Sequence, residues 1–390
     1  MFERSIVSTV TSRLSAERRF VQVVVGPRQV GKTTAVQQAG RHLEAAGVAF
    51  VFASGDDPLL PGPSWVDQQW EAGRAAASTG PAVLALDEVH KIPGWAERVK
   101  ANWDRDARTA TDLRVVLLGS SPLLVGQRLR ESLAGRFELI PATHWQWPEC
   151  RDAFGWDVDT YVFHGGYPGA APLVRDFQRW RRYVLDSLIE TTVARDVLSL
   201  GRIDKPALLR QLFYLACELS GQTVALTTLL GQLHDAGNTT TLSHYLRLLE
   251  DVWLVAGLSK YSGSVARRRA APPKLLVLDT ALMSAARGLP FDEARRDGGH
   301  WGRLVETAVG AHLLAQAQSS PQRVMYWRQR DREVDFVVES SGGLTAIEVK
   351  SGRERDADRR GLDTFVRHYA PARVRLVGTG GTPLADFLAE

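Results

Sequence analysis

Short apolar runs separated by helical stretches occupy the first part of the chain. Phe20–Gly26, Val48–Ala53, Ala82–Leu86, Arg114–Gly119 and Phe137–Ile140 read as strands. Lys32–Ala46, Trp65–Thr79, the stretch after Pro93 and Leu123–Leu133 read as helices. Apolar strands without polar alternation are buried on both faces, so this part predicts a parallel sheet covered by helices. From 146 to 203 the pattern is mostly helical, broken by the turn-rich His164-Gly165-Gly166-Tyr167-Pro168-Gly169. Three helices and a short hairpin are expected over 205–262, then an Arg-, Pro- and Gly-bearing connection with one embedded strand, Lys274–Leu278. Residues 301–380 return to helix, hairpin, strand, helix, strand.

Composition narrows the class. With 390 residues, two or three domains of roughly 150 residues are expected. Hydrophobic residues make up 44%, enough for sizeable cores. Cys150 and Cys217 have no metal-ligand spacing and no disulfide framework, which fits a reducing cytoplasm. The charged opening MFERSIVSTVTSRL predicts no signal peptide, and no apolar run reaches the ~18 residues of a membrane span. A cytoplasmic protein with no membrane partner is therefore expected. The net charge of +4 permits nucleic-acid binding without demanding it. His144, His164 and His300 lack ligand-like neighbours, and Trp145, Trp147, Trp156, Trp180, Trp301 and Trp327 read as packing residues.

One loop carries specific chemistry. Gly26-Pro27-Arg28-Gln29-Val30-Gly31-Lys32-Thr33-Thr34 follows an apolar strand and opens a helix. Glycines at that spacing let backbone N–H groups surround a phosphate, a lysine neutralises its charge, and Thr33 offers a hydroxyl to Mg²⁺. The predicted strand Ala82–Leu86 ends in Asp87-Glu88. Asp87 is placed to hold the Mg²⁺ shell, and Glu88 to polarise an attacking water. The strand Val115–Gly119 ends in Ser120-Ser121, of which Ser120 is the preferred contact for a γ-phosphate or water. Arg136 precedes the next strand, where an arginine finger for a neighbouring subunit would sit. The plainer reading of Arg136 is a helix C-terminal arginine meeting the macrodipole.

These segments carry a resemblance. Gly26–Thr34, Leu86-Asp-Glu-Val, Leu118-Gly-Ser-Ser121 and Glu131-Ser-Leu-Ala-Gly-Arg136 resemble prokaryotic AAA+-type ATPases whose C-terminal half is a domain of unknown function. Phe163-His-Gly-Gly-Tyr-Pro168, Asp235-Ala-Gly-Asn238 and Ile347-Glu-Val-Lys-Ser-Gly352 extend it over most of the chain. The resemblance implies ATP as the nucleotide, an ASCE-type sheet, assembly into a ring with the hexamer as default, and an arginine finger acting in trans. Arg179, Arg181 and Arg182, within the basic stretch that also holds Arg175, Arg195 and Arg202, are candidates for a second sensor.

Two later segments suggest partners. On the expected third helix, Thr239–Trp253, Leu242, Leu246, Leu249 and Trp253 share one face, with Ser243, His244, Arg247 and Asp251 opposite. A hairpin from Leu254 to Ser264 and then Arg267-Arg268-Arg269 would complete a winged helix, its third helix in a DNA major groove. Glu250 and Asp251 argue against DNA, and a helical protein-contact module is the alternative. Near the C-terminus, Glu306 on a helix, Asp335 in Glu333-Val-Asp-Phe, and Glu348 with Lys350 on one strand look like the PD-(D/E)xK nuclease constellation. Carboxylates of this kind hold Mg²⁺ or Mn²⁺, and Lys350 would orient or deprotonate a water. The same fold also serves as a passive binding module.

The expected architecture is thus a multidomain α/β chain. Residues 1–145 form an AAA+ P-loop domain, 146–203 a helical lid or connector, 204–265 a winged-helix-like domain, 266–300 a linker and 301–390 a nuclease-like domain. The expected function is ATP hydrolysis coupled to remodelling or processing of duplex or branched DNA. The alternative is a nucleotide-dependent switch or adaptor with a non-cleaving C-terminal fold.

Overall fold

The computed structural model describes residues 2–56, 62–120, 131–197, 203–234, 237–262, 271–352 and 356–390, with only the main chain at Ser120, 195–196 and 356–359. The sequence-predicted helix Leu123–Leu133 falls mostly outside them, as do Ser121, Arg202, Asp235, Ser264 and Arg267 to Arg269. The chain divides into two compact units, Met1–Thr143 and His144–Glu390.

The first unit is built on five parallel strands: β1 (Val21–Gly26), β2 (Ala49–Ser54), β3 (Ala82–Asp87), β4 (Leu113–Ser120) and β5 (Phe137–Pro141). Their order is β2-β3-β4-β1-β5. Every residue of β1 and β3 is buried, in keeping with sequences that are apolar except for Gln22 in β1 and the terminal Asp87 of β3. Helices α1 (Ser5–Ser15), α2 (Lys32–Ala45), α3 (Trp65–Ala77) and α4 (Trp95–Thr109) connect and flank them. Helix α1 is not among the predicted elements. Its apolar residues Ile6, Val7, Val10 and Leu14 are spread thinly among Ser, Thr and Arg, yet all four are buried. Between α3 and α4, the fully buried Asp106 carboxylate accepts from Trp70 Nε1 and Arg74 Nε, each at 2.6 Å. Those bonds offset the cost of burying its charge.

Gly26 closes β1 tightly. A Cβ there would meet the main-chain oxygen of Ala142 at 1.9 Å, so no side chain fits.

The second unit begins with helices α5 (Trp147–Phe154), α6 (Val158–His164) and α7 (Phe177–Tyr183), followed by wide π-helical turns at Val184–Glu190 and Thr192–Val197. Between α6 and α7 the Gly165-Gly166 turn is fastened by Asp279. Its carboxylate accepts from Gly166 N at 2.7 Å and from Ala281 N at 2.9 Å, and burial pushes its pKa up to about 7. Helices α8 (Pro206–Glu218), α9 (Leu226–Gln232) and α10 (Thr239–Asp251) come next. On α10, Leu242, Leu246 and Leu249 are buried while His244, Arg247 and Glu250 are exposed. The helix stops before Trp253, whose φ of 64° lies in the left-handed region.

Over its described part, residues 254–262, the expected hairpin Leu254–Ser264 shows no local strand pairing. Strand β6 (Val255–Leu258) pairs antiparallel with β7 (Lys274–Val277), with Val255 opposite Val277. Past β6 the chain leaves the pair, and Tyr261 N donates to Tyr326 O instead. The segment read as a linker, 266–300, therefore supplies a strand and two helices, α11 (Thr280–Arg287) and α12 (Phe291–Arg296). Helix α13 (Gly298–Ser319) leads into a mixed sheet of β8 (Arg323–Gln329), β9 (Arg332–Ser340), β10 (Gly343–Lys350) and β11 (Arg373–Gly378), ordered β11-β10-β9-β8. Strand β9 runs antiparallel to both β8 and β10, and β10 is parallel to β11 across helix α14 (Asp356–Tyr369). Among the described residues no helix is long and apolar enough to cross a membrane.

Candidate functional site: a phosphate-type loop and a carboxylate cluster

The loop between β1 and α2 reverses direction through Gln29 (φ 62°) and Gly31 (φ 85°), both left-handed, and α2 starts at Lys32. Strand pairing brings the chemistry to the same edge of the sheet. Gly26 is aligned with Ser120 on β4, and Ser54 on β2 with Asp87 on β3. Thr33 Oγ1 donates to Asp87 Oδ2 at 2.8 Å, and Glu88 N donates to Asp87 Oδ1 at 2.9 Å. Asp87 is buried, which raises its pKa, while the Thr33 bond opposes the rise. Lys32 reaches back across the loop, Nζ donating to Gly26 O at 3.0 Å and Pro27 O at 2.6 Å. Glu88 sits in the left-handed region at φ 51°, with Lys91 Nζ at 3.4 Å and His90 Nε2 at 3.5 Å from its carboxylate.

The donor set suits Mg²⁺ on a nucleotide. A hydroxyl and a carboxylate already within hydrogen-bond distance are hard oxygen ligands at the N-terminus of a helix that favours anions. Arg136 lies apart from this group. It grips Asp104 on α4 with two bonds, Nε to Oδ1 at 2.8 Å and Nη2 to Oδ2 at 3.2 Å.

The C-terminal residues converge, but around a group that the sequence reading passed over. Lys274, the first residue of β7, is completely buried. Its Nζ lies 2.6 Å from Glu306 Oε1 on α13, 3.2 Å from Glu333 Oε1 and 3.6 Å from Asp335 Oδ1 on β9. It also donates to the main-chain oxygen of Asp335 at 3.3 Å. Burial alone would lower the pKa of Lys274; the charges of Asp335, Glu306 and Glu333 overcome it and raise the pKa. Glu348 pairs with Lys350 at 2.8 Å, and Asp335 Oδ2 accepts from Val349 N at 2.8 Å. Burial, reinforced by the charge of Asp335, pushes Glu306 up to about 7 and Glu348 up to about 8.

These residues do not fit a divalent ion as they stand. Among the described residues no group of three or more His, Cys, Asp or Glu is arranged to hold a metal. The Lys274 ammonium stands among the oxygens such an ion would use. The missed residues left faint signals: Lys274 is a lysine heading an apolar strand after Pro272-Pro273, and Glu333 lies two residues before Asp335.

Comparison with known proteins fits the first site. Residues 18–150 match the AAA domain family. Residues 155–293 match a domain of unknown function, DUF8612, and residues 301–386 another, DUF4143. Rv2008c of Mycobacterium tuberculosis, described as uncharacterized, is 30% identical over 347 residues, 87% of this chain and 72% of its own. Mb2031c of Mycobacterium bovis matches to the same extent. The chain belongs to the family of these mycobacterial proteins. An uncharacterized protein of Haemophilus influenzae is 21% identical over 350 residues, covering 85% of this chain and 82% of that one. In this chain the AAA-domain match coincides with the five-stranded parallel sheet that carries the P-loop. Solved structures that align include AMPPCP-bound DnaA from Aquifex aeolicus, at 18% identity and a TM-score of 0.33 over 63% of this chain and 86% of that one. RuvB from Thermotoga maritima aligns at 17% identity and a TM-score of 0.31 over 64% of this chain and 87% of that one. Likeness at that level decides neither fold nor function.

Proposed function

We propose that this family member is an ATPase that hydrolyses ATP at the Gly26–Thr34 loop and uses the cycle to act on DNA. The observation that carries the ATPase reading is the 2.8 Å bond between Thr33 and Asp87, which joins loop and strand end into one oxygen pair. In this reading Mg²⁺ on ATP neutralises the phosphates when bound. Gly26, Pro27, Arg28, Gln29, Val30 and Gly31 would form the loop around the phosphates, each but Pro27 offering a main-chain N–H, and Lys32 would turn from the loop carbonyls to them. Thr33 and Asp87 would hold the metal shell, Thr34 continues the helix start, Ser120 would contact the γ-phosphate or water and Glu88 would orient the water. Arg136 leaves Asp104 to serve a neighbouring subunit in a ring, with the hexamer as the working assumption.

The DNA part rests on less. The exposed His244 and Arg247 on α10 support it, the exposed Glu250 beside them opposes it, and the DnaA and RuvB likenesses carry no weight. A second reading, a nucleotide-dependent switch whose C-terminal fold binds without cutting, is favoured by the lysine-filled carboxylate cluster. The test is ATP turnover with and without duplex, branched and single-stranded DNA, with the DNA examined for cleavage. DNA stimulation supports the first reading, and flat rates with intact DNA move the assignment to the switch. Glu88→Gln is expected to keep ATP binding and lose ~10²–10⁴-fold in turnover. Turnover at the native rate in that variant would remove Glu88 from the mechanism.

A further inference from the structure

A fully buried lysine is costly unless its charge is answered on the spot. Lys274 is answered by three carboxylates from two elements, at 2.6, 3.2 and 3.6 Å, and by the Asp335 main-chain oxygen at 3.3 Å. The Phe336 ring centroid lies 5.1 Å from Nζ, a further favourable neighbour for a cation. That is a coordination shell in outline: several hard oxygens aimed at one positive centre. A Mg²⁺ or Mn²⁺ using the same oxygens would have to occupy the volume of the ammonium. A second observation marks the place as built for a cation. Glu348 is 6% exposed, and its Oε2 has no hydrogen-bond partner. Four carboxylates, Glu306, Glu333, Asp335 and Glu348, thus stand around Lys274 and Lys350, with the Arg328 guanidinium 3.8 Å from Glu333 as a third cation.

We propose that Glu306, Glu333, Asp335 and Glu348 form a cation site whose resident cation is Lys274, so that divalent metal enters only when the lysine is removed. The lysine comes from the β6–β7 pair, whereas Glu306 belongs to α13 and the others to β9 and β10. The ammonium therefore ties three parts of the second unit together without a metal. This inference stands apart from the ATPase reading, since its readout involves no nucleotide.

The test is Mn²⁺ uptake by the full-length chain without nucleotide, followed by the loss of the free-ion paramagnetic resonance signal. Four chains are compared: native, Asp335→Asn, Lys274→Met and Lys274→Met/Asp335→Asn. All share the same Thr33 and Asp87, so any uptake there cancels. Native and Asp335→Asn are expected to take up the same amount. Lys274→Met is expected to gain one equivalent per chain, lost again in the double variant. A thermal transition of Lys274→Met raised by Mn²⁺, with the native one unmoved, is the matching stability readout. Uptake by the native chain that Asp335→Asn abolishes would overturn the proposal, as would a folded Lys274→Met that gains none. Should Lys274→Met not fold, the native and Asp335→Asn pair decides alone: equal uptake supports the proposal and Asp335-dependent uptake defeats it.

Discussion

Two acidic groups, Asp87 at the end of the buried β3 and Asp335 inside the partly buried β9, have been given opposite surroundings. At the end of β3, Asp87 meets a neutral hydroxyl, that of Thr33, at 2.8 Å. On β9, Asp335 meets an ammonium, that of Lys274, at 3.6 Å, with Glu306 and Glu333 closer still. A hydroxyl can turn from donating to the acid to accepting at a metal, so under the proposed ATPase reading that site would take and release a cation with each nucleotide. A lysine anchored in a strand cannot leave without unpairing several charges, so its site is permanently filled. Carboxylates alone therefore do not distinguish a working metal site from a structural one; the nearest positive or polar neighbour does.

Several measurements sharpen or break this contrast. The largest effect is expected at Arg136. If it serves a neighbour's site, Arg136→Ala loses ~10³–10⁵-fold in turnover with ATP binding kept. Mixing it with Glu88→Gln subunits should restore part of the rate, because each supplies what the other lacks. No recovery on mixing would return Arg136 to its role as the partner of Asp104.

Next comes Lys274→Ala, which leaves buried carboxylates without their cation. In metal-free buffer it is expected to destabilise the second unit by ~3–5 kcal/mol, read by denaturant unfolding. A loss within about 0.5 kcal/mol would mean that the cluster is open to water and that the contrast with Asp87 is false.

The smallest effect is in pH. Glu306 at about 7, Glu348 at about 8 and Asp279 at about 7 all lie above their unfolded values. The folded state then binds more protons than the unfolded one, so stability falls as pH rises from about 4.5 to 8. His164 and His312, lowered to about 4 by burial, work the other way, but only below their unfolded value near 6.5. A net decline is therefore expected between pH 6.5 and 8, by up to ~1.4 kcal/mol per pH unit for each proton released. Glu348→Gln should flatten the upper half of that decline. A stability profile rising across this range would contradict the burial of these carboxyls.

How much could be read in advance depended on how far apart the cooperating residues lie. The loop from Gly26 to Thr34 is one continuous turn, so its spacing alone carries its geometry, and Asp87 follows because it ends an apolar run. The Lys274 pairing is different. Its partners lie on α13 and β9, and nothing near Pro272-Pro273 in sequence announces them. The misplaced hairpin has the same origin: β6 lies close in sequence to residues that leave the sheet, and its true partner begins at Lys274. Trp253 matched the helical period of Leu242, Leu246 and Leu249, yet its left-handed φ ends the helix before it. Arg136 was legible as a position but not as a contact, because Asp104 belongs to another element.

The close approach of Gly26 to the Ala142 oxygen has a bearing on how relatives are to be read. A descendant that lost its nucleotide would still have no room for a methyl group at position 26, since the neighbouring main chain forbids it. That glycine would survive the loss of function, while Lys32 and Thr33, which face no such barrier, would be free to drift. Among related chains, degeneration of the enzyme should therefore show first in the lysine and threonine, and a retained glycine there is a fossil of the sheet rather than a sign of activity.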